Sequence, residues 1–153
     1  MSQYQATVVW QRGGQTFLDN RYSRGHEWTF DGGLTVPASS APSSVPLPMS
    51  VSANVDPEEA LVAALASCHM LFFLSFSQKQ GYIVDRYEDQ AIGFMEKNDI
   101  GRFFISRIEL HPIVIFTGDK LPNKDQIEAL HHLSHEHCYI ANSLRAKVDI
   151  ISE

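Results

Sequence analysis

The chain has 153 residues, 44% of them hydrophobic and 20% charged, with a formal net charge of −6. That much apolar material sustains a core and excludes wholesale disorder, and the length fits a single domain over residues 1–153. Lys plus Arg number 12 against 18 Asp plus Glu, without any basic cluster, which argues against nucleic acid as a partner.

Met1 to Gln5 hold no charged segment leading into an apolar run, so no secretory signal is expected. Gln5 to Trp10 is β-rich, and Gly13-Gly14 breaks it before Gln15 to Leu18, which predicts a hairpin. His26 to Phe30 and Leu34 to Val36 flank a second turn at Asp31-Gly32-Gly33. Pro37 to Asn54, with Pro42, Pro46 and Pro48 among serines, reads as a long irregular loop. Asp56-Pro57-Glu58-Glu59 is a helix start: Asp56 caps, Pro57 suits the first turn, and Glu59 closes a capping box. That helix is expected to run to about Gln80 and stop at Gly81. Residues 83–96 and 102–117 are strand-like. A second helix is predicted from Pro122-Asn123 to about Cys138, then a short helical segment through Asn142-Ser143 and a last strand from Ala146 to Ile151. The class is α+β.

The first helix is apolar on every side from Ala60 to Phe76, whereas a surface helix shows one stripe. The stretch is at the short limit for crossing a bilayer, and Cys68-His69 at its centre speaks against lipid. A single sheet of about six strands covers only one face of such a helix. A second copy of the chain is the simplest cover, so a homodimer with a large apolar interface is expected. No membrane partner is expected, and the protein is read as cytoplasmic, where thiols stay reduced.

Only two cysteines are present, Cys68 within this helix and Cys138 at the end of the second. Buried free cysteines are common and inert, but the blocks around these two are distinctive. The first is Asp56-Pro57-Glu58-Glu59-Ala60-Leu61-Val62-Ala63-Ala64-Leu65-Ala66-Ser67-Cys68. The second is His135-Glu136-His137-Cys138-Tyr139-Ile140-Ala141-Asn142-Ser143. With these blocks and the order of its elements, the chain resembles the OsmC/Ohr family, the osmotically induced and organic hydroperoxide resistance proteins, over nearly its whole length. The resemblance implies an intertwined homodimer with antiparallel sheets around a buried central helix. It also implies thiol peroxidase activity on organic hydroperoxides. Cys68 would be peroxidatic and Cys138 resolving, with a dithiol such as dihydrolipoamide on lipoylated proteins as reductant and no bound cofactor. Glu58 and an N-terminal arginine would tune Cys68. Arg21 and Arg24 both lie before the second strand, and the position of the Asp31-Gly32 turn favours Arg24. His69 and Tyr139 stand where many family members have an aromatic residue and a proline, and the Pro37–Pro48 loop suits an OsmC-like branch.

The chemistry can be argued from the residues as well. Only a thiolate attacks an O–O bond, and a guanidinium beside the sulfur stabilises it while its donors hold the peroxide and the departing alkoxide. Met70, Leu71, Phe72 and Phe73 would give a greasy lining favouring bulky peroxides. Glu58 precedes Cys68 by about 15 Å of helix, at 1.5 Å per residue, so Glu58 is expected to serve the cysteine of the other subunit. His131, His135 and Cys138 share one helix face, with His132 and His137 nearby, which raises a rival reading as a metal-dependent hydrolase. Polar lining beside Cys138 or a solvated face suits these histidines better, and no metal is assigned. His69 points about 100° away from Cys68 around the helix. The alternative function is a non-enzymatic member of the fold that binds an apolar ligand in the interface pocket.

Overall fold

Short-range turn and cap chemistry decides the first part of the chain. In the computed structural model, which describes residues 1–152, Ala6–Val9 (β1), His26–Phe30 (β2) and Thr35–Ala38 (β3) form an antiparallel sheet in that order. Gly33, at φ 89°, closes the β2–β3 turn by donating to the Phe30 carbonyl at 2.9 Å. The expected hairpin between Gln5–Trp10 and Gln15–Leu18 does not form. Instead β1 pairs with β2, Ala6 opposite Phe30 and Val9 opposite Glu27. Gly13 and Gly14 do turn the chain, but the residues beyond them fold onto side chains rather than a strand. Phe17 stacks on Tyr22 at 4.6 Å with Trp10 against both, and Thr16 Oγ1 donates to Asp19 Oδ2 at 2.7 Å. The proline-bearing loop is irregular, as read, after β3 and a parallel bridge from Ala38 to Val55.

The capping box at Asp56 is built as expected. Glu59 N–H donates to Asp56 Oδ1 at 2.8 Å, and Asp56 N–H donates to Glu59 Oε1 at 2.9 Å. The helix α1 spans Pro57–Lys79 and ends at Gly81, whose φ of 80° lets Tyr82 N–H reach back to the Ser77 carbonyl. Its buried residues are Leu65, His69, Phe73 and Ser77, one stripe at four-residue spacing, while Leu71 is 59% exposed. By length and composition this helix is apolar enough to cross a membrane.

The chain forms two compact units, Met1–Ala60 and Leu61–Glu153. In the second, Ile83–Asp89 (β4) pairs with Pro112–Thr117 (β7), and Ile92–Lys97 (β5), Phe103–Leu110 (β6) and Lys147–Ile150 (β8) form a separate sheet in the order β5-β6-β8. The two strand-like stretches of the sequence are therefore each divided, and the strands of the described residues fall into three sheets, antiparallel except where β8 joins β6 in parallel. The break in the later stretch falls at His111-Pro112, where proline brings no N–H to a ladder and the His111 N–H turns to Asp89 Oδ1 at 2.7 Å. The earlier stretch breaks at Gln90-Ala91. The second helix, α2, spans Lys124–His137 with a capping box between Asn123 and Gln126, and a short 3-10 turn follows at Ala141–Ser143.

Two clusters make the core of this unit. One gathers Leu65, Ile108, Leu110 and Cys138, and the other Phe73, Tyr82 and Leu130. Gly93 of β5 lets α1 come close, since a Cβ there would stand 2.7 Å from Val62 Cγ2. Gly93→Ala is expected to cost about 1–3 kcal/mol by overpacking, read as a lower urea midpoint with an unchanged slope.

Candidate functional site

Cys68 enters the site from the middle of α1, and Cys138 from the C-cap of α2. The packing of α1 against β6 and the end of α2 brings both into the same cluster, with Val62, Ala66, Phe72, Ile140 and Ala141 around them. Both thiols are free; Cys68 is half-buried and Cys138 fully buried. Burial pushes the Cys138 thiol up to about 11, and the neighbouring Cys68 acts in the same direction. The Ala141 N–H opposes this shift, donating to Cys138 Sγ at 3.4 Å. A partly open sulfur thus adjoins a closed one that stays protonated at neutral pH.

The greasy lining is narrower than expected. Phe72 packs in the cysteine cluster and meets Tyr139 edge-on at 5.0 Å, but Phe73 lies in the other cluster and Leu71 is exposed. Helical rotation separates these neighbours in sequence onto different faces.

Arg24 is held within its own hairpin. Its Nη1 donates to the carbonyls of Asn20, at 3.2 Å, and Tyr22, and its Nη2 donates to Asn20 Oδ1 at 2.6 Å. The guanidinium also lies 3.6 Å over the Tyr22 ring. Asn20 makes this cradle from the left-handed region, at φ 62°. Arg21 is exposed. Among the described residues Arg24 makes no ion pair, and Glu58 Oε2 is buried without a hydrogen-bond partner. The structure brings the two cysteines together but does not bring Arg24 and Glu58 together.

The histidines divide by face. His132 is exposed and pairs with Glu136 at 3.3 Å, while His137 is exposed beside Phe72 and Phe76. His131 is buried and hydrogen-bonds His69 across from α1, Nδ1 to Nε2 at 3.0 Å. Among the described residues, no group of three or more His, Cys, Asp or Glu side chains is arranged to hold a metal. The sequence reading missed the His69–His131 pair; its signal was a histidine on the stripe shared by Leu65, Phe73 and Ser77.

A family model described as OsmC-like protein matches residues 51–153. Among solved structures, an OsmC-like protein of unknown function from Vibrio cholerae is 49% identical, with a TM-score of 0.98 over 100% of both chains. An organic hydroperoxide resistance protein from Legionella pneumophila is 19% identical, with a TM-score of 0.70 over 99% of this chain and 96% of that one. The organic hydroperoxide resistance protein OhrB of Bacillus subtilis is 19% identical, with a TM-score of 0.64 over 99% and 97%. These last two likenesses are of fold. A search of curated proteins finds no match.

Proposed function

The chain belongs to the OsmC-like family, and from that premise we propose that it is a cytoplasmic thiol peroxidase that reduces organic hydroperoxides. The observation that carries this reading is the meeting of a half-buried Cys68 with a fully buried Cys138 in one apolar cluster. The names of the Legionella and Bacillus neighbours point to the same chemistry.

In the first step the Cys68 thiolate attacks one oxygen of the O–O bond. The bond breaks, the other oxygen leaves as alkoxide and takes a proton, and Cys68 becomes a sulfenic acid. In this reading Arg24 supplies the positive charge for the step, together with the N–H donors that its bonds to Asn20 and Tyr22 leave free. Cys138 then attacks the oxidised sulfur. Its thiol proton leaves with the hydroxyl as water, and a Cys68–Cys138 disulfide forms. A dithiol such as dihydrolipoamide returns both cysteines to thiols by exchange and is itself oxidised to a disulfide.

We assign the working form as a homodimer. The apolar residues of α1 outside its buried stripe, Leu71 among them, are the surface a second copy covers. Glu58, whose Oε2 lacks a partner, serves the other subunit's site in this assembly.

Mild treatment with cumene hydroperoxide is expected to link Cys68 to Cys138 within one chain, read by mass spectrometry of the digested protein. Dihydrolipoamide is expected to sustain turnover. Both thiols remaining free, with no peroxide consumed, would remove the peroxidase reading and favour an apolar-ligand binder of the same fold.

A further inference from the structure

Position 69 lies on the buried stripe of α1, where an apolar side chain would pack without polar cost. His69 occupies it at 1% exposure and meets His131, at 3% exposure, through the 3.0 Å bond between the helices. The rings are nearly parallel, 9° apart with centroids at 5.3 Å, and the Phe73 ring stands 4.3 Å from His131. Among the described residues this is the sole side-chain hydrogen bond joining α1 to α2. The outer nitrogens, His69 Nδ1 and His131 Nε2, are buried without partners. In a neutral pair one ring donates, and the accepting ring's other nitrogen carries an N–H with no acceptor. Leaving a buried donor unmet costs about 1–3 kcal/mol, which two apolar side chains would avoid. What the imidazoles supply in return is direction.

That direction bears on the sulfurs. Cys68 directly precedes His69 on α1, and Cys138 caps α2 about two turns beyond His131. We propose that the His69–His131 hydrogen bond is a positioning element that sets the approach of Cys68 to Cys138, and that it releases once both rings carry a second proton. A first proton sits on the donating ring's outer nitrogen and leaves the bond in place, whereas a second turns the acceptor nitrogen into a donor and leaves two donors face to face. Burial holds His69 down to about 3, with His131 and His135 adding to it, and His131 down to about 4, so the bond persists through mild acid. The groups around the pair give an imidazolium little help. His135 on α2 is the titratable neighbour of His69, and Phe73, which stands against His131, packs in turn on Tyr87 and Phe116 in a cluster with Tyr82 and Val114, with Asp89 acting on Tyr87. This rests on the reading of Cys68 and Cys138 as a disulfide-forming pair, and not on any step with peroxide.

The test uses the whole protein in a glutathione redox buffer at pH 7.5. Each disulfide formed there consumes one oxidised glutathione and releases two reduced ones, and the product is counted by mass spectrometry. His69→Phe, which keeps the bulk, is expected to lower the equilibrium constant for the Cys68–Cys138 disulfide about five- to tenfold. His69→Gln, which keeps a polar partner for His131, is expected to stay within about twofold of wild type. Equal constants for wild type and His69→Phe would overturn the proposal. A second measurement needs no variant. Imidazole nitrogen resonances of the reduced wild type are followed from pH 7 to about 2.5 alongside the reaction of Cys138 with 4,4'-dithiodipyridine. Both rings are expected to be neutral at pH 5.5, with Cys138 reactivity rising as the second ring protonates while helix content holds. Rings that titrate near pH 6.5, or reactivity that is unchanged or rises only with global unfolding, would refute it. A normal disulfide equilibrium without peroxide turnover would condemn the peroxidase reading alone.

Discussion

Cys68→Ser is expected to reduce turnover of cumene hydroperoxide with dihydrolipoamide by about a thousandfold or more, the scale of losing a nucleophile. A serine hydroxyl in the same half-buried position neither ionises near neutral pH nor attacks oxygen as sulfur does. Cys138→Ser should behave differently. Cys68 would still open the peroxide, so a first equivalent per chain is consumed at nearly the wild-type rate. The cycle then stalls, with an oxygen atom left on Cys68 and open to further oxidation. Rapid-mixing peroxide consumption separates these outcomes, and equal loss of the first turnover in both variants would contradict the assigned order. Exposure supports that order, because Cys68 is half-buried and Cys138 is closed off.

Acid should weaken the fold well before it protonates the buried histidines. The folded state holds His69 near 3 and His131 near 4, against an ordinary value of 6.5. Between those values the unfolded chain binds more protons, so stability is full above about pH 6.5 and falls as pH drops toward the folded values. From pH 7.5 to pH 5 the two rings together are expected to remove roughly 2–4 kcal/mol, with allowance for their coupling. Urea unfolding across this range gives the slope directly. Replacing both histidines by phenylalanine should flatten it, and a slope that survives in that double variant would assign the acid sensitivity elsewhere.

Features set by neighbours in sequence were legible before any coordinates. The Asp56–Glu59 box, the Gly81 stop, the Asp31–Gly33 turn and the extent of α2 each follow from contacts a few residues apart. Partner choice among strands was not legible. β1 had two acceptable partners at short range, and the aromatic cluster of Trp10, Phe17 and Tyr22 decided against the nearer one. The splitting of both long strand-like stretches depends on a corner where Asp89 accepts the N–H that precedes Pro112. At the site, the cysteine blocks stood out in the sequence, and the structure packs them into one cluster. His69 stands at four-residue spacing from Leu65 and Phe73, but in a helix apolar on every side that spacing does not single it out, and nothing in the sequence joins it to His131.

Sulfur at the end of α2 also serves as a hydrogen-bond acceptor, since the Ala141 N–H points at Cys138 Sγ. A disulfide sulfur is a poorer acceptor than a thiol or thiolate, so oxidation should loosen the hook that carries the chain from α2 toward β8. The amide resonance of Ala141 would then act as a gauge of the oxidation state, readable inside an intact cell extract without any label on the cysteines.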